Sequence, residues 1–154
     1  MKKNKEKPKD YYANDEVWTA VYSVAPQELK DAMDLAYLTG QRPADVLAIR
    51  SDDMSDGFLT VKQGKTAERL RIHLNDGEVR SSLGELVYGI IQRNAKHICR
   101  YSILSERGRR LSWMMLRNRW VDTREKAASI ASQAGQKNYM QFISASQICP
   151  KRSG

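Results

Sequence analysis

Leu38-Thr39-Gly40-Gln41-Arg42-Pro43-Ala44-Asp45-Val46-Leu47, followed downstream by Gln63-Gly64-Lys65-Thr66, decides the reading of this chain. Gly40 ends one helix, because glycine enters the left-handed region without strain. Pro43 suits the first position of the next helix, where its missing N–H costs no hydrogen bond. Arg42 therefore stands at a helix mouth, where unpaired backbone N–H groups favour an anion. Lys65 falls near the tip of a hairpin. One guanidinium and one ammonium so placed are cations of the kind that grip a phosphate.

Working outward, Asn14 is expected to cap a helix that starts at Asp15 and Glu16, with Val17, Val21 and Val24 facing inward. Pro26 opens a second helix, in which Leu29, Met33, Ala36 and Tyr37 keep the helical period up to Gly40. The third helix runs from Pro43 through Val46, Leu47 and Ile49. Phe58 to Lys62 and Arg69 to Leu74 alternate apolar with polar residues, so Leu59, Val61, Leu70, Ile72 and Leu74 share one face of a hairpin. Ser82-Leu83-Gly84-Glu85 reads as a capping box before a helix with Leu86, Val87, Ile90 and Ile91 inward. Tyr101 to Leu104 is a short buried link. Ser112 caps a last helix, with Leu116 and Trp120 inward and Arg117, Arg119 and Arg124 outward. From about Ser129 the period fades.

Composition bounds the rest. The 154 residues carry a formal charge of +8, with 41% hydrophobic and 29% charged residues, as a globular chain with a polyanionic partner would. No apolar run is long enough to span a membrane and no signal peptide is present, so a cytoplasmic protein is expected. Cys99 and Cys149 are isolated thiols and the only histidines are His73 and His97, which argues against a metal site or cofactor. Residues 1–10 read as a disordered basic leader, 11–128 as the folded domain and 129–154 as an irregular tail.

The segment from Leu35 to Ile72 resembles the first half of the catalytic domain of tyrosine recombinases, the phage-integrase family. That pattern is a helix, T-G-x-R-x-x-D/E-h-L, an acidic turn, a strand, and x-Q-x-K-T before a second strand. This sequence supplies Thr39-Gly40-Gln41-Arg42, Asp45-Val46-Leu47, Asp53, Asp56-Gly57, Leu59 to Val61, Gln63 and Lys65-Thr66, with Lys65 placed 23 residues after Arg42. Ser105 to Arg124 is similar to the helix that precedes the second motif of phage-type integrases. The resemblance implies an α+β, mainly helical fold with a small antiparallel sheet, truncated at its C-terminus.

It also implies roles. Arg42 would hold the nonbridging oxygens of a phosphorane-like transition state, Lys65 would protonate the departing 5′ oxygen, and Asp45 would orient the arginine cluster. Arg42, Lys62, Lys65, Thr66, Arg117 and Arg119 would contact double-stranded DNA. Taken singly, Arg42 is an ordinary solvent-facing residue and Lys65 an ordinary turn lysine; the paired motifs carry the inference.

The family also needs an H-x-L-R box, a G-H or G-W pair and a tyrosine nucleophile. His97-Ile98-Cys99-Arg100 spells H-x-x-R, but it lies only 32 residues past Lys65 and is read as coincidence. Tyr139 has no G-H pair upstream. The expectation is therefore a phage-type tyrosine recombinase for DNA integration and recombination, present as a truncated, inactive form that can self-associate. The alternatives are a noncatalytic DNA-binding remnant or modulator, and a basic interaction protein whose motif match is accidental.

Overall fold

The computed structural model describes residues 15–133; the leader, Asn14, Tyr139 and Cys149 lie outside the described residues. The described residues divide into two packing units, one spanning Pro26–Arg119 and one combining residues 15–25 with 120–133. The architecture is the expected one, mainly helical with small antiparallel sheets.

The larger unit is organised on α2 (Gln27–Thr39), which opens behind Pro26 and closes at Gly40, whose φ of 66° is left-handed and whose N–H donates to the Ala36 carbonyl. Leu29, Ala32, Met33 and Leu35 are buried along it. Tyr37, expected inward, is instead 77% exposed, because the buried face of α2 turns toward α3 and α4 and leaves residue 37 at its margin. Helix α3 (Pro43–Leu47) takes Pro43 in its first turn. It ends short of Ile49, because the Ile49 carbonyl accepts from the Ser102 N–H at 2.9 Å and the next residue bridges to Tyr101. Ile49 is buried all the same.

Strands β1 (Met54–Ser55), β2 (Phe58–Lys62) and β3 (Arg69–His73) form an antiparallel sheet in that order. Asp56 and Gly57 join β1 to β2 with φ of 53° and 76°, the doubly left-handed two-residue turn that matches strand twist. The register Leu59↔Ile72 and Val61↔Leu70 puts the expected apolar residues on one face. Leu59 and Val61 are fully buried, whereas Leu70 on the edge strand is 40% exposed. A second hairpin, β4 (Asn75–Asp76) with β5 (Val79–Arg80), turns through Gly77; the alternation is too short to be read from sequence.

Helix α4 (Ser82–Asn94) is capped by Ser81, not by Ser82. The Ser81 hydroxyl accepts from the Gly84 N–H at 3.1 Å and donates to the Leu74 carbonyl at 2.9 Å, and this second bond selects between two adjacent serines. The inward set moves accordingly to Leu83, Gly84, Val87 and Ile90, with Leu86 and Ile91 half-buried. A Cβ on Gly84 would sit 2.0 Å from the Leu74 carbonyl oxygen. Residues 101–104 form the expected buried link, bridged to Arg50 on one side and Arg110 on the other. Ser112 caps α5 (Trp113–Gln133), its hydroxyl accepting from the Met115 N–H at 3.2 Å.

In the smaller unit, α1 (Asp15–Val24) buries Val17 and Val21, while Val24 is half-buried. The later part of α5 buries Thr123, Arg124, Ala127, Ala128 and Ala131 at helical spacing. That alanine stripe carries α5 to Gln133, into the stretch expected to be irregular. Arg124, expected on the wet face, belongs to the buried one.

Two buried acids of α2 hold arginines from distant elements. Glu28, 5% exposed, accepts from Arg119 Nε at 2.5 Å, so Arg119 points to a buried carboxylate and not outward. Asp31 accepts from Arg93 at 2.6 Å and from Gln27 at 2.9 Å. Burial nevertheless pushes the Asp31 carboxyl up from its ordinary 3.8, outweighing the hydrogen bond from Gln27 and the attraction of Arg93. A raised folded-state pKa means that the folded protein keeps a proton the unfolded chain has lost. Stability therefore falls as pH rises from 3.8 through the raised value. Asp31→Asn should lack this slope: urea melts between pH 3.5 and 7 should show the variant gaining on the parent as pH rises, and parallel curves would refute it. Gly84→Ala should cost about 1–3 kcal/mol by overpacking against Leu74, read in the same melts.

Candidate functional site

The two motifs meet through hydrogen bonds from the turn after β2 to the loop before α3 and to the first turn of α3. Thr39 Oγ1 donates to the Leu35 carbonyl at 2.6 Å, which draws the end of α2 tight. Gln41 then folds back on Thr39, its backbone N–H donating to Oγ1 at 3.3 Å and its Nε2 to the Thr39 carbonyl at 3.1 Å. This leaves Gln41 Oε1 facing away from α2, where it accepts from Gln63 Nε2 at 2.9 Å. Four residues further on, Asp45 Oδ1 accepts from the Gly64 N–H at 2.8 Å. The residues on either side of Arg42 are thus tied to the two residues before Lys65.

The turn is closed from within. Gln63 N–H donates to the Glu68 carbonyl at 2.8 Å and Ala67 N–H to the Gln63 carbonyl at 2.9 Å, with Ala67 left-handed at φ 57°. Thr66 Oγ1 donates to Gln63 Oε1 at 3.0 Å and accepts from the Glu68 N–H at 3.4 Å. Gly64 is the residue that allows the approach to α3, since a Cβ there would lie 3.2 Å from the Asp45 carboxylate.

Arg42 precedes α3 in extended backbone (φ −68°, ψ 149°) and its side chain makes no cap. Arg42, Lys62 and Lys65 are all exposed, and none has a carboxylate partner among the described residues. Lys62 also stands directly opposite Arg69 across the hairpin, a like-charge pairing that destabilises a sheet unless an anion relieves it. Asp45 is 9% exposed and its carboxylate is directed at the Gly64 backbone. Exposed cations without carboxylate partners, on segments tied by a buried carboxylate, have the charge that attracts an anion.

Of the residues singled out from sequence, Arg42, Asp45, Lys62, Lys65 and Thr66 lie on the two segments that these hydrogen bonds join. The Thr66 hydroxyl, expected to contact DNA, is engaged inside the turn with Gln63 and Glu68. Arg117 is half-buried on α5. Arg119 is held at Glu28, in the first turn of α2, roughly 16 Å along that helix from Thr39 at about 1.5 Å per residue. It does not belong to the Arg42 cluster. Sequence reasoning passed over Gln41 and Gly64 as linking residues; the one available signal was that each stands immediately before a motif cation.

Among the described residues no helix is long and apolar enough to cross a membrane. No family model matches the chain. A 60-residue stretch is 40% identical to an integrase of Escherichia phage HK022, covering 37% of this chain and 17% of that protein. Among solved structures, a lambda integrase (75-356) dimer bound to a COC′ core site matches with a TM-score of 0.67 and 24% identity, over 80% of this chain and 46% of that one. The lambda integrase catalytic core matches with a TM-score of 0.63 and 24% identity, over 74% of this chain and 68% of that one. A lambda integrase tetramer bound to a Holliday junction gives a TM-score of 0.68 at 23% identity, over 80% of this chain and 36% of that one. The chain thus spans about a sixth of the curated relative and under half of the first of these structures.

If the Asp45 to Gly64 bond sets the turn, Asp45→Ala should cost about 1–2 kcal/mol and free the Gly64 amide. Hydrogen exchange should then speed up at Gly64 while the Leu59 and Val61 amides stay protected. Unchanged exchange at Gly64 would show that the turn holds without the carboxylate.

Proposed function

We propose that this chain, a member of the tyrosine recombinase or phage-integrase family, grips the phosphodiester backbone of double-stranded DNA through Arg42 and Lys65, as part of a site-specific recombination and integration machinery. The observation that carries the reading is the pair of hydrogen bonds, Gln63 to Gln41 and Gly64 to Asp45, that ties two cation-bearing segments together and leaves both cations exposed without a carboxylate partner. The chain contributes these segments to an activity that belongs to proteins considerably longer than itself.

The chemistry follows from the side chains. A planar guanidinium at Arg42 can donate to two nonbridging oxygens at once, and such donors favour the added negative charge of a pentacoordinate state. An ammonium at Lys65 can pass a proton from Nζ to the 5′ oxygen as the phosphorus–oxygen bond breaks, so that no free alkoxide is released. Asp45 acts one step back, fixing the turn on which Lys65 rides. Neither cation can attack phosphorus, and no residue of this cluster is a nucleophile. The cluster itself therefore supplies grip and a proton, and the attacking group lies outside it. Since the matched lambda structures are a dimer and a tetramer on DNA, self-association on a duplex is part of the proposal.

Arg42→Ala should weaken binding to a short duplex about tenfold and reduce the slope of log affinity against log salt by about one. Fluorescence anisotropy over a salt series reads both, and an unchanged slope would remove Arg42 from the phosphate contacts. A nicked suicide duplex incubated with the chain alone should yield no tyrosine-linked adduct. A trapped adduct would overturn the reading of a gripping, non-cleaving chain.

A further inference from the structure

We propose that Arg50, Tyr101 and Arg110 form a binding site for a phosphate ester group, using none of the residues of the Arg42 and Lys65 cluster. Three stretches of the larger unit converge here. Arg50 follows α3, Tyr101 begins the buried link and Arg110 precedes α5, and backbone bridges Arg50↔Tyr101 and Leu104↔Arg110 lock the stretches together. Arg50 Nη2 donates to Tyr101 Oη at 2.9 Å and Arg110 Nη1 donates to the same oxygen at 3.0 Å. Both guanidiniums also lie over the Tyr101 ring, 4.9 Å and 4.0 Å from its centre.

Two full positive charges thus share one neutral acceptor, and neither has a carboxylate partner among the described residues. The ring face offsets part of their repulsion, but an anion between them would offset far more. The phenol is poised for that anion. Its lone pairs are taken by the two arginines, while its own O–H proton has no acceptor among the described residues, and a hydroxyl that accepts charge-assisted bonds is a stronger donor. A tetrahedral phosphate could accept that proton together with the remaining guanidinium N–H groups. Arg110 further lines an open cavity of about 390 Å³ with Ser105, Arg107 and Arg109, in which Glu106 is the single acid. Arg100, next to Tyr101, takes no part, because Asp52 holds it at 3.1 Å.

The phosphate could belong to the backbone of a duplex or to a free nucleotide. The first source rests on the DNA-binding function proposed above; the second does not. The full chain, with Tyr101→Phe and the double variant Arg50→Gln, Arg110→Gln, would be titrated with a short duplex over a salt series, and with adenosine monophosphate and inorganic phosphate by phosphorus NMR. The double variant should lose about one from the salt slope and roughly tenfold in duplex affinity, and Tyr101→Phe should bind about three- to tenfold more weakly at an unchanged melting temperature.

Loss confined to the duplex assigns the site to a backbone phosphate; loss confined to the small phosphates assigns it to a free nucleotide. Should the parent chain bind no duplex yet hold phosphate through these residues, the DNA reading falls and the site stands. Parent-like binding of every phosphate source by Tyr101→Phe overturns the site. Since that variant keeps both guanidiniums over the ring, it decides the matter even where the double variant melts early.

Discussion

The hydrogen bond from the Gly64 N–H to the Asp45 carboxylate is the constraint on which the site depends. Hairpin tips are ordinarily the loosest part of a sheet, and a lysine there would sample a wide volume. A charge-assisted bond is roughly twice as strong as a neutral one, and this one is accepted by a side chain that α3 holds 9% exposed. The Gln63 to Gln41 bond adds a second point of attachment, which removes the rotation that a single bond would allow. An acid is the right group for the position: it orders a backbone N–H and also lowers the positive potential beneath the exposed cations.

Helix α2 transmits order in both directions. At one end Gly40 and Thr39 set the path of Gln41 and Arg42; along its length Glu28 and Asp31 hold Arg119 and Arg93 from two other helices. Such pairs contribute little net stability, because desolvation of the acid cancels most of the attraction, as the raised Asp31 carboxyl records. What they supply is register. An arginine fits one buried carboxylate, whereas apolar faces of α4 and α5 could slide by a turn at small cost.

The signals that sequence made legible were those written in local stereochemistry. Gly40, Pro43 and Ser112 each favour a particular backbone role at their own position, and each ends or begins an element where expected. The pairing of the two cation motifs was legible only through their spacing and family resemblance. What failed to show was decided at a distance. Ser81 and Ser82 are equivalent in the pattern until the Leu74 carbonyl chooses between them. Arg119 and Arg124 look solvated to any periodicity scale, which has no term for a buried acid elsewhere in the chain. Alanines at 127, 128 and 131 are too weakly apolar to stand out, although small side chains are what let a helix pack closely. Gln41 and Gly64 were invisible as linkers because their partners lie 22 and 19 residues away.

Net charge is the coarsest of these signals, and folding shows why. A value of +8 says nothing about which cations remain available. Arg93, Arg100 and Arg119 are matched to carboxylates, while Arg42, Lys62 and Lys65 gather on one hairpin and loop, and Arg50 and Arg110 crowd a phenol. A chain selected for stability alone would spread its unmatched cations, because self-repulsion opposes the compact state. Placing them beside Asp45 and along the bridged link at Tyr101 carries a cost in self-repulsion that a bound anion would offset. The distribution of charge over the fold, more than its total, is therefore what motivates the proposed phosphate contacts.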